Sequence, residues 1–441
     1  MELPAGVNRR YASLAGFVLA ALWLWVAFDR PYRFPSHIPW NIYSNGPQAS
    51  PTNDVFSSPF LDSPAIRDAC ANTAFNESIT FICDDSPGDV AEVRNSILNC
   101  VRYAMAAGAH IVLPQIIMRE DYDEENMGNR TTLDYMFATE HFVGSLNSVC
   151  PKMRIFMKAA EVMQDKKFYG PIRLPPESLE KDKVQWPSQT VTFSHDWNVA
   201  FKKWLSQYID PLVVQPIVIG LGRTFLQYPV HMEGEDFANA FGKILNFHSE
   251  IRNLAATTLL KLSESFKLKF DLSHPILNDH YFGVHLSTTQ VPKEASPALQ
   301  ANYLYPKQSK LFLDQAANSK LSLLYVSADD GADLVAFIQD ARALNLTVTS
   351  KFDLLKGWDR ESLMELTPDQ RATIDYLVHS KASQFAGMGH SSFAWNIALN
   401  RHQYAHQQTG HLNGEQMLSD DLSQIYGTPK GRPAYPANMW P

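Results

Sequence analysis

The chain has 441 residues, 45% of them hydrophobic and 19% charged, which is enough for two or three domains with buried cores and argues against a peptide or a disordered tail. Thirty-eight basic side chains against 46 acidic ones leave a net charge of −8 with no long basic run, so a nucleic-acid-binding protein is not expected. A mean hydropathy of −0.21 is too polar for a multi-span membrane protein.

Residues 1–10 end in Arg9-Arg10 and read as a short cytoplasmic tail. Residues 11–28, YASLAGFVLAALWLWVAF, carry no charge and would span about 27 Å as a helix, close to the thickness of a bilayer core. With the basic flank inside and Trp23 and Trp25 at the far interface, a single-pass signal anchor is expected, with the rest of the chain lumenal. A cleaved signal peptide is the competing reading, but Trp25-Val26-Ala27-Phe28-Asp29-Arg30 lacks a small-x-small cleavage site. Prolines at 31, 35, 39, 47, 51, 59 and 64 make 29–64 a Pro-rich stem with extended backbone.

All four cysteines, Cys70, Cys83, Cys100 and Cys150, follow the stem. In an oxidising lumen they read as two disulfides of undetermined pairing, and no C-x₂₋₄-C spacing suggests zinc. Sequons at Asn76, Asn129 and Asn345 are glycosylation candidates. Ser86-Pro87-Gly88-Asp89 predicts a helix start with Ser86 as N-cap. The periodic run Val90, Val93, Ile97, Val101 and Ala104 follows, then a strand at Ile111–Leu113. A strand at Ile217–Ile219 and one long amphipathic helix from Phe237 to Leu259 complete an N-terminal α/β lobe over 65–270.

In 271–410 the alternation is more regular. Strands are predicted at 282–286, 321–327, 346–349 and 383–387, and helices at about 297–318, 331–343, 367–379 and 391–400. This pattern predicts a mainly parallel sheet with helices on both faces, and therefore a second α/β lobe. Residues 411–441, ending GTPKGRPAYPANMWP, read as a flexible tail.

Ligands of open parallel sheets bind beyond the carboxyl ends of the strands, so the candidates are sought there. In Phe385–Asn396 a strand runs through two glycines into Ser391 and Ser392 at a helix start, where free N–H groups and hydroxyls suit a diphosphate; a simple N-cap is the plain alternative. Asp329 and Asp330 end another strand, one as a possible ligand group and the other as a cap. Asp375 lies on the helix leading into the serine turn, by default an exposed carboxylate. His285 and Ser287 share one side of a strand. Asp121 and Asp123 form an Asp-x-Asp triplet that more often belongs to a solvated loop than to a metal site. His402 and His406, at helical i,i+4 spacing without an intervening Glu, read as a surface pair.

Four stretches together resemble the GDP-fucose protein O-fucosyltransferase superfamily, in particular its divergent fungal members: VRNSILNCVRYAMAAGAHIVLPQIIMR, YFGVHLSTT, LLYVSADD and TPDQRATIDYLVHSKASQFAGMGHSSFAWNIALNRH. The resemblance spans about 80–405. It implies a GT-B-like α/β fold with two Rossmann-like lobes facing a cleft, a GDP-sugar donor, and no metal or other cofactor. It also implies catalysis at His285 and at Ser287, which stands where the family has an arginine. Nucleotide-sugar contacts are implied from Asp329, Asp375, Ser391, Ser392 and Phe393. Arg119, Arg223, Lys293 and Arg401 are candidates to replace the absent arginine. The implied activity is transfer of fucose from GDP-fucose to a hydroxyl of a glycoprotein or glycan with inversion, in the Golgi or ER membrane as a single-pass type II protein. A catalytically impaired pseudoenzyme that binds a nucleotide sugar, glycan or protein partner is the alternative.

Overall fold

A computed structural model of the protein describes residues 54–118, 129–163, 171–179, 194–208, 216–289, 297–328, 330–406, 418–427 and 438–441. The strands in chain order are β1 (Ile79–Ile82), β2 (His110–Val112), β3 (Ile116–Ile117), β4 (Arg130–Thr131), β5 (Ile155–Phe156), β6 (Ile172–Leu174), β7 (Ile217–Leu221), β8 (Phe282–Leu286), β9 (Leu323–Ala328), β10 (Thr347–Thr349), β11 (Gln384–Met388) and β12 (Ser423–Tyr426). They form two five-stranded sheets, ordered β5-β2-β1-β7-β6 and β10-β9-β8-β11-β12, while β3 and β4 pair by themselves in antiparallel fashion. Every pair within the two large sheets is parallel. The central strand β8, Phe-Gly-Val-His-Leu, is buried at every position, as a strand covered on both faces must be.

The helices of the second half match the sequence pattern closely because their ends carry local signals. Asp330 caps Gly331–Ala343 by accepting from Ala332 N–H at 2.7 Å. Thr367 and Gln370 form a reciprocal capping box on Pro368–Lys381, with Pro368 in the first turn. Ser391 caps Ser392–His402. The helix expected over 297–318 is broken into Pro297–Gln300, a 3₁₀ turn at Ala301–Tyr303 and Tyr305–Ser319.

Three expectations from the first half are corrected. The helix after β1 starts at Val90, with Asp89 rather than Ser86 as N-cap: Gly88 sits at φ 136°, outside helical space, and the Asp89 carboxylate takes Ala91 N–H at 2.8 Å and Glu92 N–H at 2.9 Å. The helix expected from Phe237 to Leu259 is two, Glu235–Phe241 and Ser249–Phe266, separated by a 3₁₀ turn at Gly242–Ile244. The stem does not extend to residue 64. Asp54 is in ion-pair contact with Arg252 at 2.7 Å, Leu61 is buried, and a helix runs over Pro64–Ala71.

The largest correction concerns the tail. Residues 423–426 are β12, paired in parallel with β11, and Trp440 is fully buried against Tyr228 and Phe241. Its Nε1–H donates to Asn99 at 2.7 Å and its backbone N–H to Asn95 at 2.9 Å, while Arg94 donates to the carbonyls of Trp440 and Pro441. Trp440 thus closes the core of the first sheet, through an aromatic side chain whose burial no local pattern announces.

The cysteines pair as Cys70–Cys150 and Cys83–Cys100. The second bond ties the segment leaving β1 to the helix that follows it. Among the described residues no helix is long and apolar enough to cross a membrane; residues 11–28 lie outside them. The described residues all fall within one compact unit, Thr52–Pro441.

Candidate functional site

Each large sheet reverses its strand order once. In the first, the chain moves from β1 outward to β2 and β5 on one side and fills β7 and β6 on the other, so the reversal lies between β1 and β7. In the second it lies between β8 and β11. Crossovers leave such a point on opposite faces, and a crevice opens beyond the strand ends. Residues Cys83–Asp89 and Gly222–Arg223 leave the first switch point, and Ser287 and Gly389–Ser392 leave the second.

The two points meet. The Ser392 hydroxyl donates to Asp89 Oδ2 at 2.7 Å, so the N-termini of helices Ser392–His402 and Val90–Ala107 converge on one carboxylate. Ser391 Oγ accepts from Ala394 N–H at 3.2 Å, the capping role that was its plain alternative. Gly387 is required just before this turn, because a Cβ there would lie 2.5 Å from that of Ala394. Ser287 and the serine turn are joined through His390, whose Nε2 lies 2.9 Å from the Ser287 carbonyl oxygen and whose ring stacks on Tyr303. Gln308 takes the Ser287 N–H at 2.9 Å and donates back to its carbonyl at 2.6 Å.

Beneath the turn lies a hydroxyl-bridged pair of imidazoles. His285 Nδ1 is 3.1 Å from Ser327 Oγ, and His379 Nε2 is 2.8 Å from the same oxygen. Burial, then the neighbouring His285, Lys351 and Arg401, push the His379 pKa well below its ordinary value, so it is a neutral imidazole. Phe393 is buried with its ring 4.6 Å from that of His285, and so orients the histidine from above. Asp375 is not an exposed helix carboxylate: it is buried in an ion pair with Lys351 and accepts from Tyr325 OH at 2.7 Å. That pair sits on the β9 side of the imidazoles and holds the helix Pro368–Lys381 to the sheet.

Of the four candidates for a replacement cation, Arg119 and Lys293 lie outside the described residues, as do Asp329, Asp121 and Asp123. Arg401 is fully buried and donates to the carbonyls of His379, Ser380, Ala382, Ser383 and Leu422, so its guanidinium is committed to holding loops together. Arg223 is half exposed at the end of β7, 3.6 Å from Glu92 in the first turn of the helix that Asp89 caps. Of the two histidines read as a surface pair, His406 is exposed and faces Asp421 at 2.6 Å, whereas His402 is buried against Asp420 at 2.5 Å. Among the described residues no group of three metal-ligating side chains occurs. Asn76, Asn129 and Asn345 are all exposed.

Sequence reasoning missed Asp84 and Asp89. Asp84 leaves β1 at the switch point and accepts from Gln115 N–H at 3.0 Å; burial raises its pKa, against smaller lowering effects from that hydrogen bond and from Arg130. The signal was present as a pair of aspartates directly after an apolar run, but which strand ends share a switch point is a matter of strand order, and strand order is tertiary.

Two parallel sheets with facing switch points, one carrying a serine-bearing helix terminus, make this a GT-B-like α/β protein. The family model described as O-FucT, GDP-fucose protein O-fucosyltransferase, matches residues 81–404, and the chain belongs to that family. Its activity class is accordingly fucosyltransferase-like. Similar solved structures include POFUT1 in complex with GDP-fucose, at 13% identity and TM-score 0.45 over 80% of this chain and 100% of that one. A second crystal form of that complex gives 12% identity and TM-score 0.46 over 81% and 99%. A mutant of Arabidopsis thaliana FUT1 in complex with GDP gives 10% and 0.39 over 76% and 71%. Comparison with curated protein sequences gives no match.

Proposed function

We propose that the protein transfers fucose from GDP-fucose to a hydroxyl of a glycoprotein or glycan, with inversion, from a site facing the lumen of the Golgi or ER. Residues 11–28 serve as its type II membrane anchor. The observation that carries this reading is the serine turn at the second switch point, where the first N–H groups of Ser392–His402 and the hydroxyls of Ser391 and Ser392 converge opposite the first sheet. A diphosphate there meets the positive end of a helix dipole. The acceptor oxygen bonds to the anomeric carbon from the side opposite the diphosphate. The bond from that carbon to the β-phosphate oxygen breaks with its electron pair remaining on GDP, and the hydroxyl proton passes to the Asp84 carboxylate and on to water. His285 donates a hydrogen bond toward the sugar or its phosphate, held in place by Ser327 and Phe393. On this reading Asp375 serves the nucleoside side by fixing Lys351 and Tyr325, and Asp329, the other nucleotide candidate, lies outside the described residues. The reading requires no metal and no other cofactor.

A second reading, a pseudoenzyme that binds the donor without turning it over, is favoured by one observation: the second switch point presents the neutral Ser287 and the seat before it holds the Asp89 carboxylate. Calorimetric titration of the full chain with GDP and GDP-fucose, together with GDP release, separates the two. Binding with release supports the transferase. Binding without release supports the pseudoenzyme, and no binding of either ligand overturns both.

A further inference from the structure

From the geometry of the first switch point we propose that Arg223 is the residue that neutralises the diphosphate of the donor, acting across the cleft from the sheet that carries the serine turn; this rests on the donor reading above. Departing diphosphate bears charge that neutral hydroxyls and a helix terminus only partly offset, and a guanidinium contributes both charge and a two-pronged donor. Several of the described cations are already committed. Arg401 is spent on carbonyls, Arg94 on the carbonyls of Trp440 and Pro441, and Lys351 on Asp375. Arg173, on the edge strand β6, is bonded to Asp85 at 2.9 Å.

Arg223 differs in both place and partner. It leaves β7 beside β1, at the position where ligands of such sheets bind. Its ion pair with Glu92 is long, 3.6 Å, and its side chain is 50% exposed, so little holds it in that pose. A short chain of contacts leads from it to the serines: Glu92 N–H donates to Asp89, and Asp89 accepts from Ser392. A swing of the guanidinium off Glu92 brings it over the seat where Asp89 and Ser392 meet. When the donor reacts, its N–H groups bond to the phosphate oxygens that receive the electron pair of the breaking bond, and no proton changes hands.

The test uses the full chain and compares GDP with guanosine, which share a base and sugar and differ in the diphosphate. Arg223→Ala is expected to weaken GDP binding by roughly 10- to 100-fold and leave guanosine affinity unchanged, whereas Glu92→Gln, which releases the guanidinium, is expected to strengthen GDP binding. Because Arg223 is half exposed, thermal unfolding should be unaffected, and a fall in the melting midpoint of the Ala variant shifts the decision to Glu92→Gln. Wild-type binding of GDP with an unchanged ratio of GDP to guanosine affinity in Arg223→Ala overturns the assignment and leaves the donor reading standing. Failure of the wild type to bind GDP overturns both.

Discussion

The hydroxyl of Ser392 donates to the carboxylate of Asp89 at 2.7 Å across 303 positions of sequence, and this single bond joins the switch point of one sheet to that of the other. The carboxylate lies where two helix N-termini point, the place a donor phosphate would take. Replacing Asp89 with Asn keeps a capping oxygen and removes the charge. GDP affinity is expected to rise about tenfold at low salt, and Asp89→Ala to lower stability by about 1 kcal/mol through loss of the cap. Calorimetry and denaturant unfolding read the two effects separately; unchanged GDP affinity in Asp89→Asn would place the phosphates elsewhere.

Asp84 is expected to act on the acceptor side. Asp84→Asn should reduce GDP release from GDP-fucose by about 10²-fold and change GDP affinity little. Its carboxyl is raised by burial, so the active carboxylate is lost as pH falls through a value above the ordinary 3.8, and the acid limb of the rate profile should stand higher than that of an exposed aspartate. A profile of the Asn variant that keeps the same acid limb would remove Asp84 from the reaction.

Ser287→Arg introduces a guanidinium on the other wall of the same crevice. Turnover is expected to increase by about 10²-fold, on the scale of adding one charged donor to a developing oxyanion. Measurement of GDP release decides it, and a variant that folds and binds GDP no better than the wild type would mean that position 287 does not face the diphosphate.

Trp440 tests the tail. Its indole is fully buried and hydrogen-bonded to Asn99, so Trp440→Ala is expected to destabilise the protein by about 3–5 kcal/mol. Urea unfolding of the variant should show a midpoint well below the wild type. An unchanged midpoint would mean that the last residues do not belong to the core.

His379 predicts a pH dependence of stability. Its folded pKa lies well below the ordinary 6.5, so the unfolded chain takes up the proton first as pH falls. Its contribution to stability is complete above about 6.5 and is lost as pH drops below that value toward the folded pKa; burial shifts His110 and His141 in the same direction. Melting midpoints at pH 7.5, 6.5 and 5.5 should fall in the wild type and fall less in His379→Gln. Parallel curves would show that the buried imidazole is not the sensor.

What the sequence determined by itself was local. Asp330 and Ser391 announce helix starts because capping is a matter of three or four neighbouring residues. The apolar runs 282–286 and 383–387 announce buried strands because a parallel strand covered on both faces needs no partner to be recognised. The family motif around Gly387–Asn396 belongs to the same class, a strand, a turn and a helix start in one stretch. Tertiary structure decided everything that depends on which elements are neighbours. Strand order put β1 beside β7 and β8 beside β11, and so brought Asp89 against Ser392, with Asp84 and Arg223 leaving the same switch point as Asp89. Burial turned Asp375 from a helix carboxylate into half of an ion pair and Arg401 from a candidate cation into a clamp on carbonyls. The tail went the same way, since the free energy that holds Trp440 comes from apolar surfaces contributed by residues more than 190 positions earlier, and no property of the tail itself encodes them.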